Sequence, residues 1–128
     1  MKKLLAVLLL FIGLQTFSQK QANIWYFGQG AGVDFNFSPP IALTDGQLYT
    51  LEGCSTFSDS DGELLFYSDG TTVYDKNHNI MNYTNGNPGN NLLGNSSAAQ
   101  SGMIIPKPLN NDIYYLFTVT DNNSTTGF

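Results

Sequence analysis

The chain has 128 residues, about the length of one ordinary domain. Ten acidic side chains face five basic ones, and the net charge of −5 argues against the basic surface of a nucleic-acid-binding protein. A single cysteine excludes an internal disulfide framework.

Residues 1–18 have the layout of a secretory signal peptide. Lys2 and Lys3 give a positive start, the stretch 4–14 is apolar apart from one glycine, and the next residues are polar. The apolar run is shorter than the roughly 20 residues that span a bilayer. We therefore expect cleavage near Ser18, not a retained anchor. No cysteine ends the apolar run, so no lipid anchor is expected. The mature chain, 19–128, is predicted to be secreted or held at the outer cell surface without a membrane span.

Beyond residue 20 the sequence predicts strands and no helix. Short aromatic and β-branched runs end at Gly, Asn, Asp or Pro, which is typical of an all-β protein. An Asn- and Gly-rich stretch at 82–97 predicts a long loop. The predicted strands cover 24–27, 33–37, 41–43, 47–51, 54–58, 63–68, 71–74, 80–81, 102–105 and 113–120.

Two of the strand pairs share one plan. The segments 57–70 and 105–121 each combine an outer strand, a polar turn, a strand apolar on both faces and a closing aspartate. Phe66 and Phe117 take equivalent places, 51 residues apart. Such a spacing suits β-propeller blades, which repeat every ~40–50 residues, and a strand apolar on both faces suits a blade between neighbours. A β-sandwich with long hairpins is the alternative.

The predicted fold is therefore a partial β-propeller over 19–128. At that spacing, about 110 mature residues supply about two to two and a half blades. A closed propeller needs at least about four blades of about four strands each. We expect the domain to be truncated at its C-terminus, with two outer blade faces left without partners.

Several short motifs carry a resemblance to a known family. The most specific are Trp25-Tyr26-Phe27-Gly28, Glu52-Gly53-Cys54, Leu65-Phe66-Tyr67-Ser68-Asp69-Gly70, Asn77-His78, Gln100-Ser101 and Pro106-Lys107-Pro108. Together, over residues 23–121, they resemble the N-terminal region of large exported Bacteroidota proteins. Those proteins often end in a gliding-motility-associated C-terminal domain or a type IX secretion sorting domain. The resemblance implies a propeller-like domain in a secreted or cell-surface protein, and it assigns no catalytic residues.

The first glycine-rich stretch does not match a nucleotide-binding loop. Gly28, Gly30 and Gly32 are spaced G-x-G-x-G, whereas the dinucleotide fingerprint is G-x-G-x-x-G at the start of a helix. A strand is predicted next, so no helix N-terminus is available to hold a pyrophosphate. We expect a tight turn that uses positive φ angles. The aromatic residues at 25–27 are expected to pack in the protein or to lie at its rim.

The turn after Phe57 invites comparison with calcium-binding loops. The helix-loop-helix motif needs acidic ligands at its first, third and fifth positions, and its first position would fall on Phe57, so it fails. The sialidase-type Asp box fails as well, because Asp61 directly precedes Gly62. A looser calcium cage at Asp59 and Asp61 stays open, although we favour a plain hairpin turn. No other cofactor is predicted.

No catalytic constellation emerges from the sequence. Cys54 and His78 are the only nucleophile–base pair, and an acidic chain lacks the electropositive setting of a reactive cysteine. Glycoside hydrolysis needs two carboxylates at a defined separation, which a sequence does not reveal. The loop-placed candidates are Asp59, Asp61, Asp69 and Asp75.

Aromatic side chains allow a binding platform for a glycan or a peptide. We interpret Trp25, Tyr67, Tyr114 and Tyr115 instead as packing residues, because half-buried strands select such side chains. The predicted function is a non-catalytic module for interaction or scaffolding, with a protein or a glycan at the cell surface as its partner. A glycan-binding or carbohydrate-active domain, a hydrolase or lyase on the same fold, is the alternative.

Overall fold

The computed structural model describes residues 19–82, 92–110 and 112–120. In these ranges the protein is all-β, as predicted, and a 3₁₀ turn at Lys20–Ala22 is the helical element. The predicted signal peptide and most of the loop predicted at 82–97 lie outside the described residues. The strands are β1 (Ile24–Phe27), β2 (Ala31–Asp34), β3 (Ile41–Leu43), β4 (Ser55–Ser58), β5 (Leu64–Ser68), β6 (Val73–Asp75), β7 (Gly102–Pro106) and β8 (Tyr114–Thr118).

The strands form three small antiparallel sheets in chain order. Sheet I is β1-β2-β3, sheet II is β4-β5-β6, and sheet III is the hairpin β7-β8. Each sheet contains only consecutive strands, so sheets I and II are meanders. In sheet II, β4 contacts both β1 of sheet I and β7 of sheet III. The described strands form neither a closed barrel nor a closed propeller.

The prediction of a strand over 33–37 is wrong at both of its bounds. β2 covers Ala31–Asp34, and Phe35 and Phe37 lie exposed in the turn beyond it. The side chain of Asp34 ends the strand, because its Oδ1 accepts a hydrogen bond from the backbone N–H of Asn36 at 2.7 Å. An aspartate that bonds to the backbone two residues on makes a turn in this way.

The strand predicted at 47–51 is also wrong. Within it, Tyr49 makes an isolated bridge with Gln29, and the segment lies against the tight turn after β1. In that turn Gly28 and Gly30 have φ angles of 59° and 73°, as the glycine pattern predicted, whereas Gly32 lies in β2 without a positive φ. The backbone N–H of Gly30 donates to the carbonyl of Leu48 at 3.0 Å. The segment is therefore held as a loop that buries Leu48, not as a sheet strand.

The two predicted copies are found as the hairpins β4–β5 and β7–β8. Phe66 pairs with Phe57 on the side of sheet II that packs on Tyr114 of sheet III, and Phe117 pairs with Met103 on the side of sheet III that is turned away from sheet II. Both phenylalanines therefore lie on the side of their sheet away from the preceding sheet, in agreement with their predicted equivalence. They differ in exposure, since Phe66 is half-buried and Phe117 is exposed, and β8 is covered on one face within the described ranges.

The core lies between sheets I and II. Its buried members are Ile24, Tyr26, Leu48 and Tyr67, and the rings of the two tyrosines stack with centroids 4.7 Å apart. Tyr67 is fully buried, which confirms its predicted packing role. That prediction is wrong for Trp25 and Tyr115, which are exposed, while Tyr114 packs its ring on Phe57 and Phe66 between sheets II and III.

We predict that Gly70→Ala destabilises the protein more than Gly28→Ala does. Both glycines have positive φ, so both substitutions incur strain of about 1–2 kcal/mol. A Cβ at Gly70 would also collide with the backbone carbonyl of Ser101, while a Cβ at Gly28 meets open space. Urea unfolding followed by circular dichroism gives the two free energies. Equal losses would contradict the close backbone packing at Gly70.

Candidate functional site

A chain of hydrogen bonds joins four side chains at one end of the core. We call it the tyrosine–histidine network; it comprises Tyr26, Asp45, Tyr67 and His78. Tyr26 Oη donates to Asp45 Oδ1 at 2.8 Å, and Asp45 Oδ2 lies 3.4 Å from His78 Nε2. Tyr67 Oη lies 3.0 Å from His78 Nδ1 and accepts from the backbone N–H of Gln47 at 3.1 Å. The network thus ties β1, β5, the loop after β3 and the turn after β6 to one another.

The direction of the hydrogen bond between Tyr67 Oη and His78 Nδ1 depends on the tautomer of His78. When Nδ1 accepts, Tyr67 Oη donates to it while accepting from the backbone N–H of Gln47. A neutral His78 then carries its ring proton on Nε2, facing the carboxylate of Asp45. Both ring nitrogens of His78 are engaged in this arrangement.

The network shifts the pKa values of its members. The hydrogen bond from Tyr26 lowers the pKa of the Asp45 carboxyl, although partial burial acts against it. Burial, followed by the bond to Asp45, raises the pKa of Tyr26. Burial also raises the pKa of Tyr67. The tyrosines therefore stay neutral and donate, and Asp45 stays ionised and accepts, over a wide range of pH.

An aspartate–histidine pair is also the arrangement of a general base, but both ring nitrogens of His78 already have partners. The histidine nitrogen that would face a substrate bonds to Tyr67, whose side chain is fully buried. A general base must reach the proton that it abstracts. His78 also has a φ of 64°, unusual for a side chain with a Cβ. The contacts with Asp45 and Tyr67 hold the turn in that conformation.

The loop aspartates cap their own turns. Oδ1 of Asp59 accepts from the backbone N–H of Asp61 and of Glu63 at 2.9 and 3.0 Å. Asp69 and Asp75 each bond in the same way to backbone N–H groups two to four residues on. The turn at Asp59 joins β4 and β5 as a hairpin, as the sequence predicted. In the described ranges no three His, Cys, Asp or Glu side chains lie close enough to hold a metal ion. A calcium cage at Asp59 and Asp61 stays an open alternative.

Cys54 and His78 are not joined by a hydrogen bond within the described part of the chain. The nitrogens of His78 bond to Tyr67 and Asp45. Cys54 is half-buried beside the core, and burial, followed by the charge of Asp69, raises the pKa of its thiol. A raised pKa disfavours the thiolate, which is the nucleophilic form.

An apolar surface covers one side of sheet III. The pairing of β7 with β8 places Met103 opposite Phe117 and Ile105 opposite Tyr115. Since side chains alternate along a strand, Ile113 and Val119 extend the same side. We call these six residues, each 41–55% exposed, the outer face of sheet III: Met103, Ile105, Ile113, Tyr115, Phe117 and Val119. The other side packs on sheet II.

A second exposed apolar surface lies on sheet I. Trp25 stands opposite Val33 and Phe27 opposite Ala31, and we call these four residues the outer face of sheet I. Trp25 is 53% exposed, and its ring meets the edge of Phe35 at a centroid distance of 5.3 Å. A cavity of about 240 Å³ opens beside it, toward Cys54 and the start of β4.

Comparison with protein-family models, with curated proteins and with solved structures finds no match to this chain. Among the described residues, no helix is long and apolar enough to cross a membrane. The family resemblance of the sequence therefore stays a prediction.

The sequence did not single out the tyrosine–histidine network. In the sequence, His78 and Asp45 both fall between predicted strands, 33 positions apart. No local pattern joins these two residues, because the contact depends on how sheets I and II pack. The exposed faces were anticipated only in general form, as blade faces without partners.

We predict that Tyr26→Phe lowers the free energy of unfolding by about 1 kcal/mol at pH 7, the cost of one hydrogen bond. Asp45 has a lowered pKa in the folded state, so its contribution is present above the unfolded value near 3.9 and is lost as the pH falls through the folded value. The difference from the wild type should therefore shrink in acid. Urea unfolding at pH 7 and at pH 3 measures it.

Tyr49→Phe is the matched control, because Tyr49 is exposed. This variant should unfold like the wild type at both pH values. A Tyr26→Phe deficit that is the same at the two pH values would show that the ionised Asp45 does not contribute to it.

Proposed function

We propose that the protein is an exported, non-catalytic interaction module built from blade-like sheets of the β-propeller type. Export is supported by the signal-peptide pattern at 1–18. The propeller type is supported by the order of contacts, since the first strand of each sheet touches the first strand of the next: β1 on β4, and β4 on β7. Blades arranged around a central axis pack in this order. The sequence resemblance favours the same architecture.

The outer face of sheet III carries the proposal. Sheet II has sheets I and III as neighbours through β4, whereas sheet III has one neighbouring sheet within the described ranges. Its outer face is nevertheless as apolar as the side that packs on Phe57 and Phe66. Contiguous apolar surface of this kind marks an interaction site.

The partner that fits this face is another antiparallel sheet with an apolar side. All six side chains of the outer face are uncharged, so a charged or strongly hydrated partner would gain no ion pair there. The face is two strands wide, and sheets pack face to face about 10 Å apart. A partner sheet on this face would stack on sheet III in the same face-to-face manner as sheet III stacks on sheet II.

A photo-crosslinking side chain at Ile105 tests the proposal on the exported protein in its own cells. We predict a crosslink to a peptide with alternating apolar residues, identified by mass spectrometry. Leu109 is the control site, because it is fully exposed but lies in the turn between β7 and β8, away from the face. Crosslinking at Ile105 that does not exceed crosslinking at Leu109, or that yields a lipid or a glycan, would contradict the proposal.

Glycan binding is the second candidate, favoured by the outer face of sheet I. Its exposed aromatic rings border a cavity, and sugars stack on such rings by their apolar faces. Trp25 is the only tryptophan in the chain, so tryptophan fluorescence reports on this site alone.

This alternative predicts that soluble plant or algal oligosaccharides change the Trp25 fluorescence in a saturable manner. Phe35→Ala removes the ring beside Trp25 and should weaken that response. Phe37→Ala is the control, since Phe37 is exposed in the same turn without a ring contact to Trp25 among the described residues. Fluorescence that does not respond to any glycan tested would leave the sheet-binding function as the better account.

A further inference from the structure

A cleft of about 420 Å³ opens between sheets I and II, beside the tyrosine–histidine network. Its apolar floor comes from Ile24 and Leu43 of sheet I and from Leu64 of sheet II. Each of these side chains belongs to the core or packs against it, so the floor is fixed by the packing of the two sheets. Cavities that hold small ligands have volumes of about 300–1,000 Å³ and combine an apolar lining with a few polar groups. The cleft has the size of such a site.

Charged side chains line the same cleft, and carboxylates outnumber ammonium groups there. Asp34, Asp59 and Glu63 contribute carboxylates, and Lys76 contributes the ammonium. None of these four side chains forms an ion pair within the described part of the chain. A cleft whose lining carries an excess of one sign of charge concentrates ligands of the opposite sign. The cleft therefore favours a cation.

Backbone hydrogen bonds hold two of the carboxylates in place. Oδ1 of Asp34 accepts from the N–H of Asn36 at 2.7 Å, and Oδ1 of Asp59 accepts from the N–H groups of Asp61 and Glu63. In both aspartates Oδ2 has no hydrogen-bond partner among the residues that the structure describes. These oxygens are oriented before a ligand arrives, which reduces the entropy that binding costs.

We propose that this cleft binds a primary ammonium group carried on a short aliphatic chain. The ammonium donates to the free carboxylate oxygens of Asp34, Asp59 and Glu63, and the aliphatic chain lies on the apolar floor. An ammonium has three donors and no acceptor, whereas an ionised carboxylate only accepts, so the two groups match. An alkyl carboxylate of the same length would instead meet three like charges. A free alkylamine and a lysine side chain share the proposed chemistry, and their relative affinities separate these two sources.

This site goes beyond the proposed function and can fail separately from it. The lining of the cleft shares no described residue with the outer face of sheet I or with that of sheet III. The absence of a crosslink at Ile105 would leave the amine site standing. The absence of amine binding would leave the outer face of sheet III standing.

Titration of the isotope-labelled exported protein with n-hexylamine, followed by NMR, tests the proposal. We predict saturable shifts in the amide signals of Tyr26, Leu43 and Leu64 at pH 7. The uncharged n-hexanol and the anionic n-hexanoate should bind at least about fivefold more weakly, because neither can form the ion pairs. Nα-acetyl-lysine amide carries the same ammonium on a peptide unit. Binding stronger than that of n-hexylamine assigns the site to lysine side chains, and weaker binding assigns it to free amines.

Two variants should change the affinity for n-hexylamine in opposite directions. Glu63→Gln should weaken binding by about two- to fivefold, the effect of one partly exposed ion pair. Lys76→Gln removes the competing positive charge and should strengthen binding by a similar factor. Both side chains are exposed, so we expect both variants to fold. Asp61→Asn is the matched control, since Asp61 lies in the same turn as Glu63 but does not line the cleft.

The proposal is overturned if n-hexylamine causes no saturable shift at the three residues, or if n-hexanol or n-hexanoate binds as tightly. It is also overturned if Glu63→Gln and Lys76→Gln fail to move the affinity in opposite directions. A loss in Asp61→Asn as large as that in Glu63→Gln would have the same consequence, because the attraction would then come from the net charge of the protein and not from the cleft.

Discussion

The stacked rings of Tyr26 and Tyr67 hold the two larger sheets of this protein together. Each ring comes from a different sheet, and the ring centroids lie 4.7 Å apart in the middle of the core. Their hydroxyl groups would be costly to bury without partners. Asp45 and His78 supply those partners from two loops, so burial of the tyrosines also decides where the loops lie. The packing of the core and the conformation of these two loops therefore depend on the same contacts.

Among the described residues, the polar side chains that stand out in the sequence bond to groups in their own loops or in the core. The aspartates at Asp59, Asp69 and Asp75 bond to the backbone of their own turns. Both nitrogens of His78 are engaged, and the pKa of the Cys54 thiol is raised. These side chains stabilise tight turns and a small core. The exposed surfaces on which the proposed function rests are the apolar outer faces of sheets I and III.

A sheet with two apolar sides needs a neighbour on each side. Sheet II has two neighbouring sheets and is covered; sheets I and III leave Trp25, Phe27, Phe117 and the residues around them exposed. Repeat architectures share this property, because a single unit cannot bury both of its faces and stacking supplies the missing cover. The proposed interaction of the outer face of sheet III follows from this requirement.

The sequence by itself determined the all-β class, the bounds of short strands such as β1 and β3, and the hairpin turns at Asp59 and Asp75. These features depend on neighbours in the chain: alternating side chains, glycines with positive φ, and aspartates that bond to the backbone two residues on. The tertiary structure alone decided that 47–51 is a buried loop, that Trp25 is exposed, and that His78 meets Asp45. Those outcomes depend on how the sheets pack. Asp45 and His78 are 33 positions apart, and no local sequence pattern predicts a contact over that separation.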